Sequence, residues 1–326
     1  MEASPGAHRP LRKTVVVGAG AVGSFFGAML ARAGKRVTLV GRAAHVEAIR
    51  RDGLQLRWAS GVEPVRIDAT TALDAVRDAD LVLFCVKSAD SDAVAREIAP
   101  LLRADAIVAS LQNGVDNAGA IARHVRQTVL PAVVYVATEM PAPGVVAHHG
   151  RGDLVIGARD AKAANDAMLA ARMQAVVDLF AAAKVPVRIS ADVVGELWSK
   201  LLVNCAYNAI SALSQLPYGR LVALPEVRAM QRSVVLEVLA VARAEGHPLD
   251  PAAAAAAVDA IAAAMPAQIS STAQDLARGK PTEIDHLNGT VVRRAAAHGI
   301  ATPVNQALVA LVKLAESAGR ERHVPA

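Results

Sequence analysis

Apolar residues gather in short unbroken runs over the first part of the chain and in long helical stretches over the rest. TVVVG (14–18), VTLV (37–40), LVLFCV (81–86), AIVASL (106–111), VLPAVVYVA (129–137) and LVIG (154–157) are strand-like, and continuous apolar runs of this kind mark strands buried on both faces. Between the first two, AVGSFFGAMLARA (21–33) reads as a helix, and Gly34 stands where a helix would end. Strand, helix and strand follow one another in about thirty residues, the spacing of a parallel crossover. Helical or mixed segments separate the later runs. The pattern predicts an α/β fold with a doubly wound parallel sheet of Rossmann type, helices covering both faces.

From Asp192 onward no run reads as a strand. Ala- and Leu-rich helical segments continue to about Ala318, broken at Pro217, Pro225, Gly246–Pro248, Pro266 and Gly279–Pro281. The tract PAAAAAAVDAIAAAM (251–265) is low in complexity, yet alanine is the best helix former, so order is compatible with it. The expected organisation is a leader over residues 1–13, a dinucleotide-binding domain over 14–190 and an all-helical substrate and catalytic domain over 191–326.

A length of 326 residues suits two such domains. A composition that is 53% hydrophobic and 20% charged excludes a disordered chain, and with only 3% aromatics the cores are built from Leu, Val, Ile and Ala. No run approaches the eighteen or so apolar residues of a membrane helix, and MEASPGAHRPLRK lacks the apolar segment of a secretory signal. Cys85 and Cys205 lie in apolar segments without zinc-type spacing, which predicts buried free thiols in a reducing cytoplasm and no metal site. The net charge of +5 comes from 35 Lys and Arg scattered among 30 acids, with no basic run. That balance points to a small anionic ligand and away from nucleic acid.

The candidate chemistry begins at the turn Gly18-Ala19-Gly20-Ala21-Val22-Gly23, a complete GxGxxG between a strand and a helix. Such a turn lets pyrophosphate approach the backbone at a helix N-terminus, whose free N–H groups attract anions. About twenty residues on, where NAD-binding chains carry an acid for the ribose hydroxyls, VTLVGR ends on Gly41 and Arg42. A guanidinium offers a planar fork of donors to a 2′-phosphate, so the cofactor predicted is NADPH/NADP+. Lys87 and Asn113 each follow an apolar strand, at the strand ends where an open α/β sheet binds its ligands.

In ELWSKLLVNCAYNAISAL (196–213), Lys200, Asn204 and Asn208 recur every four residues and share one face of an otherwise apolar helix. Burying an unpaired lysine is costly, so this face is expected to line a polar cleft. In QISSTAQDLARGKPTEIDHLNG (268–289), Thr282 with Asp285 three residues later predicts a capped helix start, with Glu283 in its first turn. The pattern alone assigns no role to Ser271.

Taken together, GAGAVG, VTLVGR, VKS, QNG, ELWSKLLVNCAYNAIS and SSTAQDLARGKPTEIDHLNG resemble the ketopantoate reductase (2-dehydropantoate 2-reductase) family over nearly the whole chain past the leader. The resemblance implies an NADPH-dependent reduction of 2-dehydropantoate to pantoate in the cytoplasmic route to pantothenate, with the site in a cleft between a Rossmann and a helical domain. It implies that Lys200 is the catalytic proton donor and that Asn204, Asn208, Ser271 and Asn113 serve the substrate. It implies cofactor contacts from Gly18 to Gly23 and from Arg42, Lys87, Asn113, Ala137 and Glu283. Two positions depart from the family pattern: Tyr218 and Gln268 stand where some members place asparagine. The partners expected are a small 2-oxo acid, no nucleic acid and no membrane, with a homodimer left open. Reduction of another 2-oxo or 3-hydroxy acid pair, and a non-catalytic NADPH-binding sensor, stay open as alternatives.

Overall fold

The computed structural model describes residues 10–160 and 166–322; most of the expected leader, residues 1–9, lies outside them. Residue contacts divide the chain into two compact units, Met1–Val194 and Gly195–Ala326.

In the first unit the chain runs β1 (Lys13–Val17), α1 (Ala21–Arg32), β2 (Arg36–Val40), α2 (Ala43–Asp52), β3 (Leu54–Trp58), β4 (Gly61–Val65), β5 (Asp68–Thr70) and β6 (Leu81–Phe84). It continues through α3 (Ser91–Ile98), β7 (Ile107–Ser110), α4 (Asn117–Ala122), β8 (Thr128–Ala142), β9 (Val145–Gly157), α5 (Ala167–Ala182) and β10 (Val187–Ser190). The described residues form one ten-stranded sheet in the order β4-β3-β9-β8-β7-β6-β1-β2-β5, with β10 beside β9. From β8 to β5 every neighbouring pair is parallel. The chain winds from β1 outward to β2 and β5, then returns through β6 on the other side of β1. The strand order therefore reverses at the β1–β6 pair, the place where doubly wound sheets hold ligands.

Strand residues alternate between two cores because successive side chains point to opposite faces. Val16, Leu81, Leu83, Ile107 and Ala109 join Phe25, Phe26 and Leu30 of α1 and Val176 and Phe180 of α5. Val15, Val17, Val82, Phe84 and Val108 join Ala95 and Ile98 of α3 and Ile121 of α4. Burial on both faces is why these strands read as unbroken apolar runs. Helix α1 ends as expected: Gly34 has φ of +73°, and Lys35 N–H donates to Leu30 O at 3.1 Å.

Two antiparallel pairs are not apolar along their whole length. β3 and β4 form a hairpin, and the runs at 129–137 and 154–157 are ends of one long hairpin, β8–β9. The middle of that hairpin, TEMPAPGVVAHHGRGD, is too polar for an apolar pattern, and its turn is set by Gly144 at φ +77°.

The second unit is helical: α6 (Val193–Ser214), α7 (Tyr218–Leu221), α8 (Pro225–Ala244), α9 (Pro251–Ala264), α10 (Ser271–Ala277), α11 (Asn288–Ala297) and α12 (Pro303–Arg322). Helix α6 lies at its centre, with Leu197, Trp198, Leu201, Leu202, Cys205, Ala206 and Tyr207 buried. Its neighbours bond to it through side chains. Gln231 of α8 donates to Ala206 O, Asn288 of α11 donates to Cys205 O, and the Tyr207 hydroxyl donates to Val258 O of α9. Each bond satisfies a donor that burial would otherwise strand. Prolines open α8, α9 and α12 at the first helical position, where the missing N–H costs nothing.

Candidate active site

In the first unit the site is a row of turns at the carboxyl ends of parallel strands. Val17 of β1 pairs with Val40 of β2 and Phe84 of β6, and Phe84 pairs with Ser110 of β7. Gly18, Gly41, Cys85 and Leu111 are therefore level, and the residues that follow them share one edge.

Gly18 leads the row with φ of +99°, and a Cβ there would lie 2.5 Å from Val86 N. A Cβ on Gly23 would lie 2.4 Å from Gly18 O, which is what brings α1 against the turn. Above Gly20 there is open space within 4 Å. Gly20 caps α1 without a side-chain bond, and no acid stands in the first turn of that helix. The first N–H groups of α1 thus face an uncrowded, uncapped opening, which fits a pyrophosphate.

Gly41 is held by the same turn. A Cβ on it would come within 2.8 Å of Ala19 Cβ, so the residue after β2 cannot carry a side chain. The first side chain available at this strand end belongs to Arg42, which is exposed and starts α2. Below it, buried His45 ties three elements together. Its Nδ1 accepts from Gly144 N–H at 2.8 Å, which puts the ring proton on Nε2, 3.1 Å from Ser24 Oγ. Burial holds this imidazole below its ordinary pKa, in the neutral form the two bonds need.

Lys87 is exposed and Asn113 half-buried, at the ends of β6 and β7. A buried network, with no sequence signal beyond the polar pair Gln112-Asn113, fixes these two turns. Gln112 Nε2 donates to Val86 O at 2.9 Å and to Ser91 Oγ at 2.7 Å. Asn117 Nδ2 donates to Asn113 O at 2.6 Å and to Ser88 Oγ at 3.1 Å. Ala137 lies apart from the row: Pro131 pairs with Ser110, and Ala137 is six residues further along β8, at a break in its register with β9.

In the second unit the expected polar face of α6 is present and graded. Lys200 and Asn204 are half-buried, and Asn208 is 4% exposed. Asn208 is tied on two sides. Its backbone O accepts from Ser270 Oγ at 3.1 Å, and its Oδ1 accepts from the Tyr218 hydroxyl at 3.4 Å. Ser270 also caps α10 by accepting from Ala273 N–H at 3.0 Å. Ser271, at the first position of α10, is exposed. Tyr218 N–H donates to Gln268 O at 2.9 Å, so the two departures from the family pattern are bonded to each other. Ser270 and Tyr218 carry no role in the sequence reading; the signal for Ser270 is a serine directly before the first residue of a helix.

Two expectations are corrected. No helix starts at Thr282: its hydroxyl accepts from Ile284 N–H at 3.3 Å in a local turn, and Ile284–His286 form a single 3-10 turn before α11 begins at Asn288. Asp285 is drawn outward by Lys313 at 2.5 Å instead of capping, and half-buried Glu283 precedes the turn. Of the two thiols only Cys205 is buried; Cys85 is half-buried beside the glycine turn. Burial pushes the Cys205 thiol pKa far up. Among the described residues no group of three His, Cys, Asp or Glu side chains could hold a metal, and no helix is long and apolar enough to cross a membrane.

With this geometry in view, the comparisons with known proteins are decisive for kinship. The profile described as ketopantoate reductase PanE/ApbA matches residues 14–161, and its C-terminal counterpart matches residues 192–316. The chain belongs to the ketopantoate reductase family. Membership makes it an oxidoreductase acting on a CH–OH group with a nicotinamide cofactor. Among curated relatives, the 2-dehydropantoate 2-reductase of Halobacterium salinarum is 37% identical, covering 94% of this chain and 100% of that one. The crystal structure of a PanE/ApbA family ketopantoate reductase from Ralstonia eutropha JMP134 is 51% identical, with a TM-score of 0.86 over 94% of this chain and 99% of that one. A D-mandelate dehydrogenase solved with NADH and anilino(oxo)acetate is 25% identical, with a TM-score of 0.88 over the same shares.

Proposed function

We propose that this protein reduces 2-dehydropantoate to pantoate with NADPH. The observation that carries the reading is the match to a 2-dehydropantoate 2-reductase along that relative's entire length. The residues support it. The glycine turn and the N-terminus of α1 would hold the pyrophosphate, and Arg42 would hold the 2′-phosphate as a bidentate donor. Lys87, Asn113, Ala137 and Glu283 complete the proposed cofactor set.

Reduction adds a hydride to the 2-oxo carbon and a proton to its oxygen. The hydride is what the nicotinamide supplies when bound. As charge grows on the carbonyl oxygen, Lys200 Nζ stabilises it and then gives up a proton, leaving the 2-hydroxy acid. Asn204 and Asn208 orient the substrate by neutral hydrogen bonds that add no charge beside the lysine. Ser271 and Asn113 serve the carboxylate or a hydroxyl. The domain roles follow: residues 14–190 bind the dinucleotide, and residues 191–326 bind the substrate and move the proton.

A second reading, an aromatic 2-oxo acid as substrate, is favoured by the D-mandelate dehydrogenase likeness and by Tyr218 beside Asn208. Steady-state rates with 2-dehydropantoate and with phenylglyoxylate separate the two. The proposal requires a kcat/KM for 2-dehydropantoate at least about tenfold higher, a difference of roughly 1.4 kcal/mol at the transition state.

A further inference from the structure

We propose that Tyr218 is a positioning residue that sets which end of the Asn208 carboxamide the substrate meets; the inference rests on the reading of Asn208 as a substrate contact. A carboxamide has a donating and an accepting end, and on a helix its side chain can present either. In this chain the choice is made by the phenol. The Tyr218 hydroxyl is buried and is a stronger donor than acceptor, and Asn208 Oδ1 lies 3.4 Å from it. That bond occupies the accepting end and turns Nδ2 away from the tyrosine. Among the described residues nothing accepts from Nδ2, although Asn208 is only 4% exposed. Nδ2 is not among the buried side-chain atoms left without a partner, so it opens to solvent although the rest of the residue is enclosed. Nδ2 is thus the group offered, and it suits an acceptor oxygen, the 2-oxo or carboxylate oxygen of a 2-oxo acid.

The phenol is itself held in place. Its ring packs on Tyr207 at a centroid distance of 4.7 Å and a tilt of 48°. Its backbone N–H is pinned to Gln268 O at 2.9 Å. The Asn208 backbone is pinned in turn by Ser270, the cap of α10. With both main chains fixed, the contact at 3.4 Å governs direction more than strength.

The test is a double-mutant cycle with Tyr218→Phe and Asn208→Ala, assayed with 2-dehydropantoate and NADPH. Tyr218→Phe is expected to raise KM for the oxo acid about threefold to tenfold, the worth of one neutral hydrogen bond. The KM for NADPH should stay at the wild-type value, whereas a purely structural role would raise both KM values alike without singling out the oxo acid. In the Asn208→Ala background Tyr218→Phe should have no further effect on KM. An unchanged oxo-acid KM in Tyr218→Phe, or an equal effect in both backgrounds, overturns the inference while the reductase reading stands. A wild-type protein that reduces no 2-oxo acid removes that reading first, and the inference with it.

Discussion

Arg42 owes its position to Gly41. Because a Cβ at residue 41 would collide with Ala19, the first side chain beyond β2 belongs to the next residue, and that residue is a cation. Arg42→Asp should therefore raise KM for NADPH by tenfold or more, on the order of the loss of one charge-assisted pair. KM for NADH should fall or hold; equal responses to both cofactors would remove Arg42 from the site. Lys200→Ala should lower kcat by about 10²–10⁴-fold, the usual worth of a general acid, with the melting temperature unchanged. Neighbouring serines divide in the same way. Ser270→Ala strands Ala273 N–H and removes the second bond to Asn208 O, and should cost about 1–2 kcal/mol in denaturant unfolding. Exposed Ser271→Ala should leave stability within about 0.5 kcal/mol while raising the oxo-acid KM.

At the scale of elements, the strands that were legible are those buried on both faces, since an unbroken apolar run needs no partner to be recognised. Proline and glycine marked the helix ends equally well. The β3–β4 hairpin and the middle of β8–β9 hold no unbroken apolar run: β3 alternates, with Leu54 and Leu56 buried, and the others are polar and partly exposed. Thr282 misled for a related reason. A threonine followed three residues later by an acid has the spacing of a capping box, but the reciprocal bond is missing here because Asp285 is held outward by Lys313. The polar face of α6 was readable from spacing alone. The network of Ser88, Ser91, Gln112 and Asn117 was not, because its members lie on separate elements with no period to betray them.

At the scale of the whole molecule, His45 links stability to pH. The ring is buried and accepts from Gly144, so its folded pKa lies below the ordinary value of 6.5. Between that depressed value and 6.5 the unfolded chain binds more protons, so the stability His45 confers is complete above pH 6.5 and is lost as pH falls through that window. Thermal midpoints measured from pH 7.5 to 5.5 should fall for the wild type, and His45→Gln should flatten that part of the curve. Carboxylates held low, such as Asp92 beside His124 and Arg123, act only in more acidic solution. The most direct measurement of the central claim is initial rates of NADPH oxidation with 2-dehydropantoate, alongside NADH and a panel of other 2-oxo acids. The expected result is saturable turnover that prefers NADPH over NADH and 2-dehydropantoate over phenylglyoxylate. No NADPH oxidation with 2-dehydropantoate, or a preference for NADH with an aromatic oxo acid, would contradict it.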